Sequence, residues 1–308
     1  MDSTQLLHED SRQEGVRTGH TPQGCKRCLH PLLGMLAEPA LVAGFWLRPG
    51  NTVSDHNVVA FTLDLLHHLP RPVRLRLVRA DSGFCHGEWL DPLESQRLDY
   101  IVVARLYRPV QRLLLKDTHW TASEVPGTEV AEVMHPELGW RTARRLILIR
   151  HRTAEKERPT GKRLLDSPGY AYQALVTSLP HRVAPVNVWR DYNGRAGSEN
   201  VIKELDAHFG LPQLCLGKFW STEAALALAV FAYNLCVLFQ RHVGWLDRVS
   251  AGTRRFRLFT TGGILSRRAG VTTIRLAVPV AQRAWWRALF EKLTSRFPNC
   301  NAVDPWPG

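Results

Sequence analysis

The sequence predicts an α/β fold, a mixed sheet flanked by helices, on three observations. "SDHNVVAFTLDLLHHLP" (54–70) carries apolar residues at helical spacing between a Ser-Asp start and a proline stop. "RPVRLRLVRADSGF" (71–84) alternates Val73, Leu75 and Leu77 with Arg74 and Arg76, then breaks at Asp-Ser-Gly, as a strand running into a turn does. Beyond these two, extended and helical patterns keep succeeding one another along the chain, which is how a layered α/β core is written.

Taken in order, "HPLLGMLAE" (30–38) and "ALVAGFWLRPGN" (40–51) are extended apolar stretches, the second closed by a Pro-Gly-Asn turn. After the helix at 54–70 and the strand at 71–84, "HGEWLDPLESQRL" (86–98) reads as a short helix interrupted by proline. "DYIVVARL" (99–106) reads as another strand. "EVAEVM" (129–134) and "RRLILIRHR" (144–152) are strand-like runs joined through "HPELGW", with a charged exit, "TAEKERPTGKR" (153–163). "YAYQALVTSLP" (170–180) is a further strand, and "DYNGRAGSENVIKELDAHFG" (191–210) an amphipathic helix. "STEAALALAVFAYNLCVLFQ" (221–240) opens on a Ser-Thr-Glu start signal and carries Glu223, Asn234 and Gln240. It is expected to be a buried core helix, with a membrane span as the minority reading.

The bulk numbers bound the function. At 308 residues and 44% apolar content the chain can build one large domain or two ordinary ones. A net charge of +12 and a pI near 9.9 favour a polyanionic partner, nucleic acid before others. Much of that excess lies between Arg241 and Phe297, where twelve arginines and lysines face two acids and Phe256, Trp285 and Trp286 are interleaved. Basic residues beside aromatics suit phosphate contact and base packing, while the aromatics of an amphipathic element also serve a core; both are expected, for different side chains. "MDSTQLLHEDSRQEG" is polar and acidic, unlike a signal peptide, so the cytoplasm, at the nucleoid, is the expected compartment. Of six cysteines only Cys25 and Cys28, with His30, have metal-like spacing. No second pair completes a zinc site, so ordinary thiols are expected. No phosphate loop and no nucleophile elbow occurs; "PTGKRLL" (159–165) lacks both the leading glycine and the hydroxyl residue.

The segment 191–210 raises the chemical question. At 100° per residue Tyr192, Arg195, Glu199 and Lys203 share one narrow stripe, bordering an apolar stripe of Val201, Leu205 and Phe209. Singly, the acids have ordinary structural roles: Asp81 caps a turn, Glu199 pairs with Arg195 or Lys203, and Asp2 frays at a terminus. Together, Asp2, Asp81 and Glu199 form a set able to hold two Mg²⁺ ions about 3.5–4 Å apart across an in-line displacement at phosphorus.

Five blocks in series resemble a known family: "DST…QEGVRTGHTP", "HPLLGMLAEPALVAGFWLRPGNT", "VRADSGF", "YAYQALVTSLP" and "YNGRAGSENVIKEL…FGL". They look like a DDE-type insertion-sequence transposase of the group numbered thirteen-eighty, within the wider set bearing a Tyr-Arg-Glu-Lys signature. The resemblance implies an RNase H-like core interrupted by a β-rich insertion: core over 1–106 and 166–240, insertion over 107–165, and a basic C-terminal extension over 241–308. It implies Asp2, Asp81 and Glu199 as the catalytic, metal-binding acids, and two Mg²⁺ or Mn²⁺ ions. Tyr192 and Arg195 match the signature residues that handle the DNA end, and Lys203 is expected to join them. The implied partner is double-stranded DNA, transposon ends and target, held by a homodimer on paired ends. The implied reaction is hydrolysis at the transposon end followed by attack of the freed 3′-hydroxyl on target DNA.

Two departures qualify this. The signature lysine falls seven residues after the glutamate, where this chain has Asp206, an acid that repels phosphate; Lys203 lies one turn earlier on nearly the same face. The family also begins before its first aspartate, whereas Asp2 stands one residue from the start here, so truncation and a fraying Asp2 are expected. A catalytically inactive DNA-binding remnant, held by the basic tail, and a general RNase H-like nuclease are the competing functions.

Overall fold

Arg144–Arg152 carries Leu146, Ile147, Leu148 and Ile149 in succession, and an uninterrupted aliphatic run suits a strand covered on both faces. In the computed structural model that run lies inside a six-stranded sheet with every one of the four fully buried. The structure describes all residues except 10, 22, 117–118, 137–139, 154–168, 195, 215, 245–248 and 296–308. Two compact units divide the chain, one of Met1–Ile202 with Leu214–Glu223, the other of Lys203–Gln213 with Ala224–Gly308.

The first unit runs β1 (Asp2–Ser3), β2 (Leu6–Leu7), β3 (Arg17–Thr21), β4 (Gly24–Leu29), β5 (Leu32–Leu36), β6 (Leu41–Trp46), α1 (Val58–His68), β7 (Leu77–Ala80), α2 (Gly87–Ser95) and β8 (Asp99–Val103). It continues with α3 (Arg108–Leu115), β9 (Thr121–Ala122), β10 (Thr128–His135), β11 (Arg144–Arg152), β12 (Tyr170–Thr177), α4 (Pro185–Asn193) and the start of α5 (Ala196–His208). The large sheet has the order β7-β8-β12-β11-β10-β9; β7 and β8 are parallel and the other pairs antiparallel, so the sheet is mixed. Strands from the stretch expected as an insertion, β9 to β11, therefore continue this sheet through β12. A three-stranded sheet β1-β5-β6 and a second one, β2-β4-β3, stand beside it. The sequence pattern shows no element before residue 30, and so misses β2, β3 and β4.

Strand alternation sorts the core into two layers. Tyr100, Val102, Leu146, Leu148, Ala174 and Val176 face α1 and α2 through Phe61, Leu65, Trp89 and Leu93. Their neighbours Ile101, Ile147, Ile149 and Leu175 face the other way, onto Val188 and Tyr192 of α4. Among these layers sits a buried polar knot: Arg144 donates to Glu94 at 2.9 Å and to Asp91, and Tyr100 Oη donates to Glu94 at 2.7 Å. Burial alone would lower the Arg144 pKa, but the bonds to Glu94 and Asp91 outweigh it and hold the charge in place. Burial raises the Tyr100 phenol.

The second unit holds the remainder of α5, most of α6 (Phe219–His242), α7 (Ala251–Phe259), the hairpin β13 (Gly263–Arg268) and β14 (Val271–Leu276), and α8 (Arg283–Thr294). Val243, Trp286 and Leu289 centre its core, with Phe239, Leu258, Leu276 and Trp285 packed around them. Glu204 Oε2 accepts from the Ala251 amide at 2.7 Å and from Arg254 at 3.3 Å, so one carboxylate tethers the first turn of α7. Of the tail aromatics, Trp285 and Trp286 thus serve the core while Phe256 stands outside it, 74% exposed.

Two expectations need correction. Residues 191–210 are two helices: α4 ends at Asn193 and α5 begins at Ala196. A β-carbon at Gly194 would lie 2.6 Å from Nη1 of Arg79, so the chain passes close to that guanidinium. Tyr192 therefore lies on α4 and Glu199 on α5. The long helix is also not buried all round. Leu226, Val230, Tyr233 and Val237 are inside, but Leu228, Phe231, Leu235 and Leu238 are exposed. By length and composition α6 could cross a membrane, the property that made it read as a core helix.

Candidate active site

Asp2 enters the fold through backbone pairing. It sits opposite Leu33 of β5 and is 6% exposed, so the fraying expected of a terminal residue does not occur. The Met1 amino group donates to the Arg79 carbonyl at 2.8 Å, which ties β1 to β7. One residue beyond that bond on one side is Asp2, and two residues beyond it on the other is Asp81.

Asp81 leaves the end of β7 in extended conformation and caps the short 3₁₀ turn Ser82–Phe84, its Oδ1 accepting from the Gly83 amide at 2.8 Å. Asp2 uses its own Oδ1 in the same way, accepting from Ser3 N at 2.9 Å. Ser3 Oγ meets Ser54 Oγ at 3.3 Å, and Ser54 lies against Gly83, so the surroundings of the two aspartates are continuous.

Four buried or half-buried groups hold that neighbourhood. Arg105, just past β8, donates from Nε to Ser82 O at 2.9 Å and from Nη2 to Gly83 O at 3.1 Å, pinning both carbonyls of the turn that Asp81 caps. Arg48 donates to His30 O at 3.0 Å and to the carbonyls of Val53, Ser54 and His56 at 3.0–3.2 Å, fixing the loop that carries Ser54. Burial depresses its pKa to about 10, with Asp55 working the other way. His86 presents Nε2 to both Asp55 Oδ2 and Arg105 Nη2 at 2.5 Å; burial, then Arg105, lowers its pKa against the pull of Asp55. His30 is also held below its ordinary value, chiefly by burial, with the bond to Thr52 O and the nearby Asp81 charge opposing. Sequence reasoning singles out none of these four as part of the site. In a chain this basic, single arginines carry no signal until strands gather them.

Glu199 lies in the first turn of α5 and is exposed. The junction before it is fixed to β7: Arg79 Nη1 donates to Asp191 O at 2.5 Å, and Gly194 abuts the same guanidinium. Asp81 follows two residues after Arg79, just beyond the end of β7. Tyr192 is elsewhere, buried with Ile101 and Val188 in the second core layer. Arg195 lies outside the described residues. Lys203 is exposed and belongs to the second unit. Asp206, at the signature lysine position, is half-buried with Oδ1 lacking a hydrogen-bond partner among the described residues, and burial raises its pKa. Cys25 is exposed and Cys28 buried, three residues apart on β4 and hence on opposite faces.

Carboxylate oxygens are the donors that Mg²⁺ takes, one or two at a time, and Asp2 and Asp81, each close to the Met1–Arg79 bond in sequence, are of that kind. Among the described residues no three His, Cys, Asp or Glu side chains are grouped so as to hold a metal ion. The donor chemistry of the three acids fits a divalent cation.

The chain belongs to the family transposase DDE domain group 1, which matches residues 2–298. That family implies nuclease and transpositional activity in general, and its members generally use divalent metal ions. No curated protein matches. Among solved structures the chain is similar to a piggyBac transposase synaptic complex with hairpin DNA, at 12% identity and a TM-score of 0.47. The likeness covers 83% of this chain and 50% of that one, so the chain spans half the length of this neighbour.

Proposed function

We propose that the chain is an insertion-sequence transposase of the thirteen-eighty group with an RNase H-like core and a basic C-terminal extension. It acts on double-stranded DNA in the cytoplasm, at the nucleoid, as a homodimer on paired transposon ends. Asp2, Asp81 and Glu199 are the catalytic acids and would hold two Mg²⁺ or Mn²⁺ ions. The observation that supports the assignment is the Met1–Arg79 bond, which ties the strand bearing Asp2 to the strand that Asp81 follows.

In this reading the two aspartates, their rotamers fixed by backbone amides, form a rigid half-site. Glu199, on a helix end, completes it from the other side of the scissile phosphate. Bound divalent cations supply activation of the attacking oxygen and neutralisation of charge at phosphorus. Arg195 and Lys203 bind the phosphates flanking the cut, and Tyr192 supports the helix junction from within the core. Water attacks at the transposon end first. The 3′-hydroxyl released then attacks a target phosphodiester and displaces its own 3′-oxygen leaving group, conserving the number of phosphodiester bonds in that step.

The test is strand cleavage of a labelled transposon end with Mg²⁺, comparing the wild type with Glu199→Gln. Removing an acid of this kind lowers the rate by about 10³-fold or more while leaving DNA affinity near its starting value. Cleavage that persists in Glu199→Gln overturns the assignment. Binding without Mg²⁺-dependent nicking by the wild type identifies an inactive DNA-binding remnant, and cutting of DNA without inverted repeats identifies a general nuclease.

A further inference from the structure

The hairpin β13–β14 has almost no burial of its own. Eleven residues on it are large or polar, and only Thr273 and Leu276 are better than exposed. Leu276 joins the core around Trp286 and so anchors its base. A two-residue turn, Ala269-Gly270, with φ of 50° and 78°, closes the tip and sets the register. An isolated two-stranded ribbon is marginal in water, so its exposure calls for a partner.

The register decides which residues share a face. Ile264 pairs with Arg275, Ser266 with Thr273, and Arg268 with Val271, and all six point to one side. That side therefore presents an arginine near each end, on opposite strands, with two hydroxyls between them. The hairpin contains no acid, and Arg267, Arg268 and Arg275 pair with none among the described residues. Four residues separate the two arginine rungs along the ribbon, about 14 Å at strand rise. A B-DNA major groove is about 12 Å wide and admits a two-stranded β-ribbon.

We infer that this face of β13–β14 docks in the major groove of duplex DNA, with Arg268 and Arg275 on the phosphates of opposite walls and Ser266 and Thr273 towards the base edges. The inference deepens the DNA-processing function proposed above and rests on it. It adds a grip remote in sequence from the three acids, supplied by a unit with its own core. A ribbon in the groove also gives the exposed tip and its strained turn a purpose: they carry an arginine to the far wall.

The experiment is a fluorescence-anisotropy titration of the full chain on a duplex, at salt from about 50 to 200 mM. The wild type is compared with Arg268→Gln/Arg275→Gln and with Arg268→Lys/Arg275→Lys. The glutamine pair is expected to weaken binding about tenfold or more and to reduce the slope of log K against log salt by about 2, one for each phosphate left without its arginine. The lysine pair keeps the slope, since the charge remains. An unchanged slope in the glutamine pair overturns the inference and leaves the transposase function standing. Equal loss in the lysine pair also overturns it, because the effect is then one of folding rather than charge. Failure of the wild type to bind duplex DNA overturns both.

Discussion

At the level of single residues, the site is organised by groups that need never touch DNA. Asp81 owes its rotamer to the Gly83 amide, and the turn that offers that amide is held by Arg105 through the carbonyls of Ser82 and Gly83. Arg105 is a positioning residue. Its replacement by alanine is expected to lower cleavage about 10–100-fold, as loss of an outer-shell partner does, and to raise the Mg²⁺ concentration needed for half-maximal rate. Arg105→Lys, with one charge but no fork, recovers only part. An Arg105→Ala enzyme that needs no more Mg²⁺ than the wild type removes this role. Asp81 is legible because a strand runs into Asp-Ser-Gly, a local pattern, although β7 is only Leu77–Ala80 and the alternating residues 73–76 precede it. Asp2 is legible only through resemblance, since nothing near it in sequence announces the pairing with Leu33 or the bond to Arg79. Periodicity sets Tyr192 and Glu199 on one helical stripe, whereas Tyr192 belongs to α4 and Glu199 to α5.

Elements succeed or fail on local geometry, and the β13–β14 turn is the clearest case. Ala269 holds φ at 50°, in the left-handed region where a β-carbon costs about 1–2 kcal/mol. Asn-Gly is the dipeptide that such a two-residue turn prefers. Ala269→Asn is therefore expected to stabilise the hairpin by about 0.5–1 kcal/mol, read as slower amide exchange of the β13–β14 ladder with DNA affinity kept or improved. Faster exchange would show that the turn is not a left-handed two-residue one. The same local physics explains what the sequence allows to be read. α1, α2, β8, β10, β11 and β12 lie where periodicity and punctuation put them, because each has a continuous apolar pattern over its own length. β2, β3 and β4 escape such reading: "RTGHT" and "GCKRCL" are short and polar, and they pair because the chain brings them together rather than because either is a strong strand. The exposed side of α6 is equally hidden. An all-round apolar helix reads as buried, and composition cannot say which side meets solvent.

For the whole molecule, the division into two units makes its response to acid uneven. Five histidines, His8, His30, His86, His135 and His151, are held below the ordinary value of 6.5, each first by burial. All five belong to the first unit. The unfolded chain binds their protons near 6.5 and the folded unit only at lower pH. Between those limits the unfolded state therefore carries more protons, and stability falls as pH falls. Above 6.5 neither state is protonated, and this contribution to stability is complete. Asp206 in the second unit has the opposite sign. Burial raises its pKa above 3.8, so the folded state takes up its proton first and the fold gains as pH drops through the raised value. Acidification from about pH 7.5 to about 5.5 should thus loosen the first unit while sparing the second. Segment-resolved hydrogen exchange, normalised to the intrinsic rate at each pH, is expected to show protection lost across β8, β11 and β12 and retained across α7 and α8. Uniform loss across both units would mean that they unfold as one, and proton uptake could then not be assigned unit by unit. Since Asp2 and Asp81 lie in the acid-sensitive unit and the arginine ribbon in the other, mild acid is expected to abolish cleavage before it abolishes DNA binding.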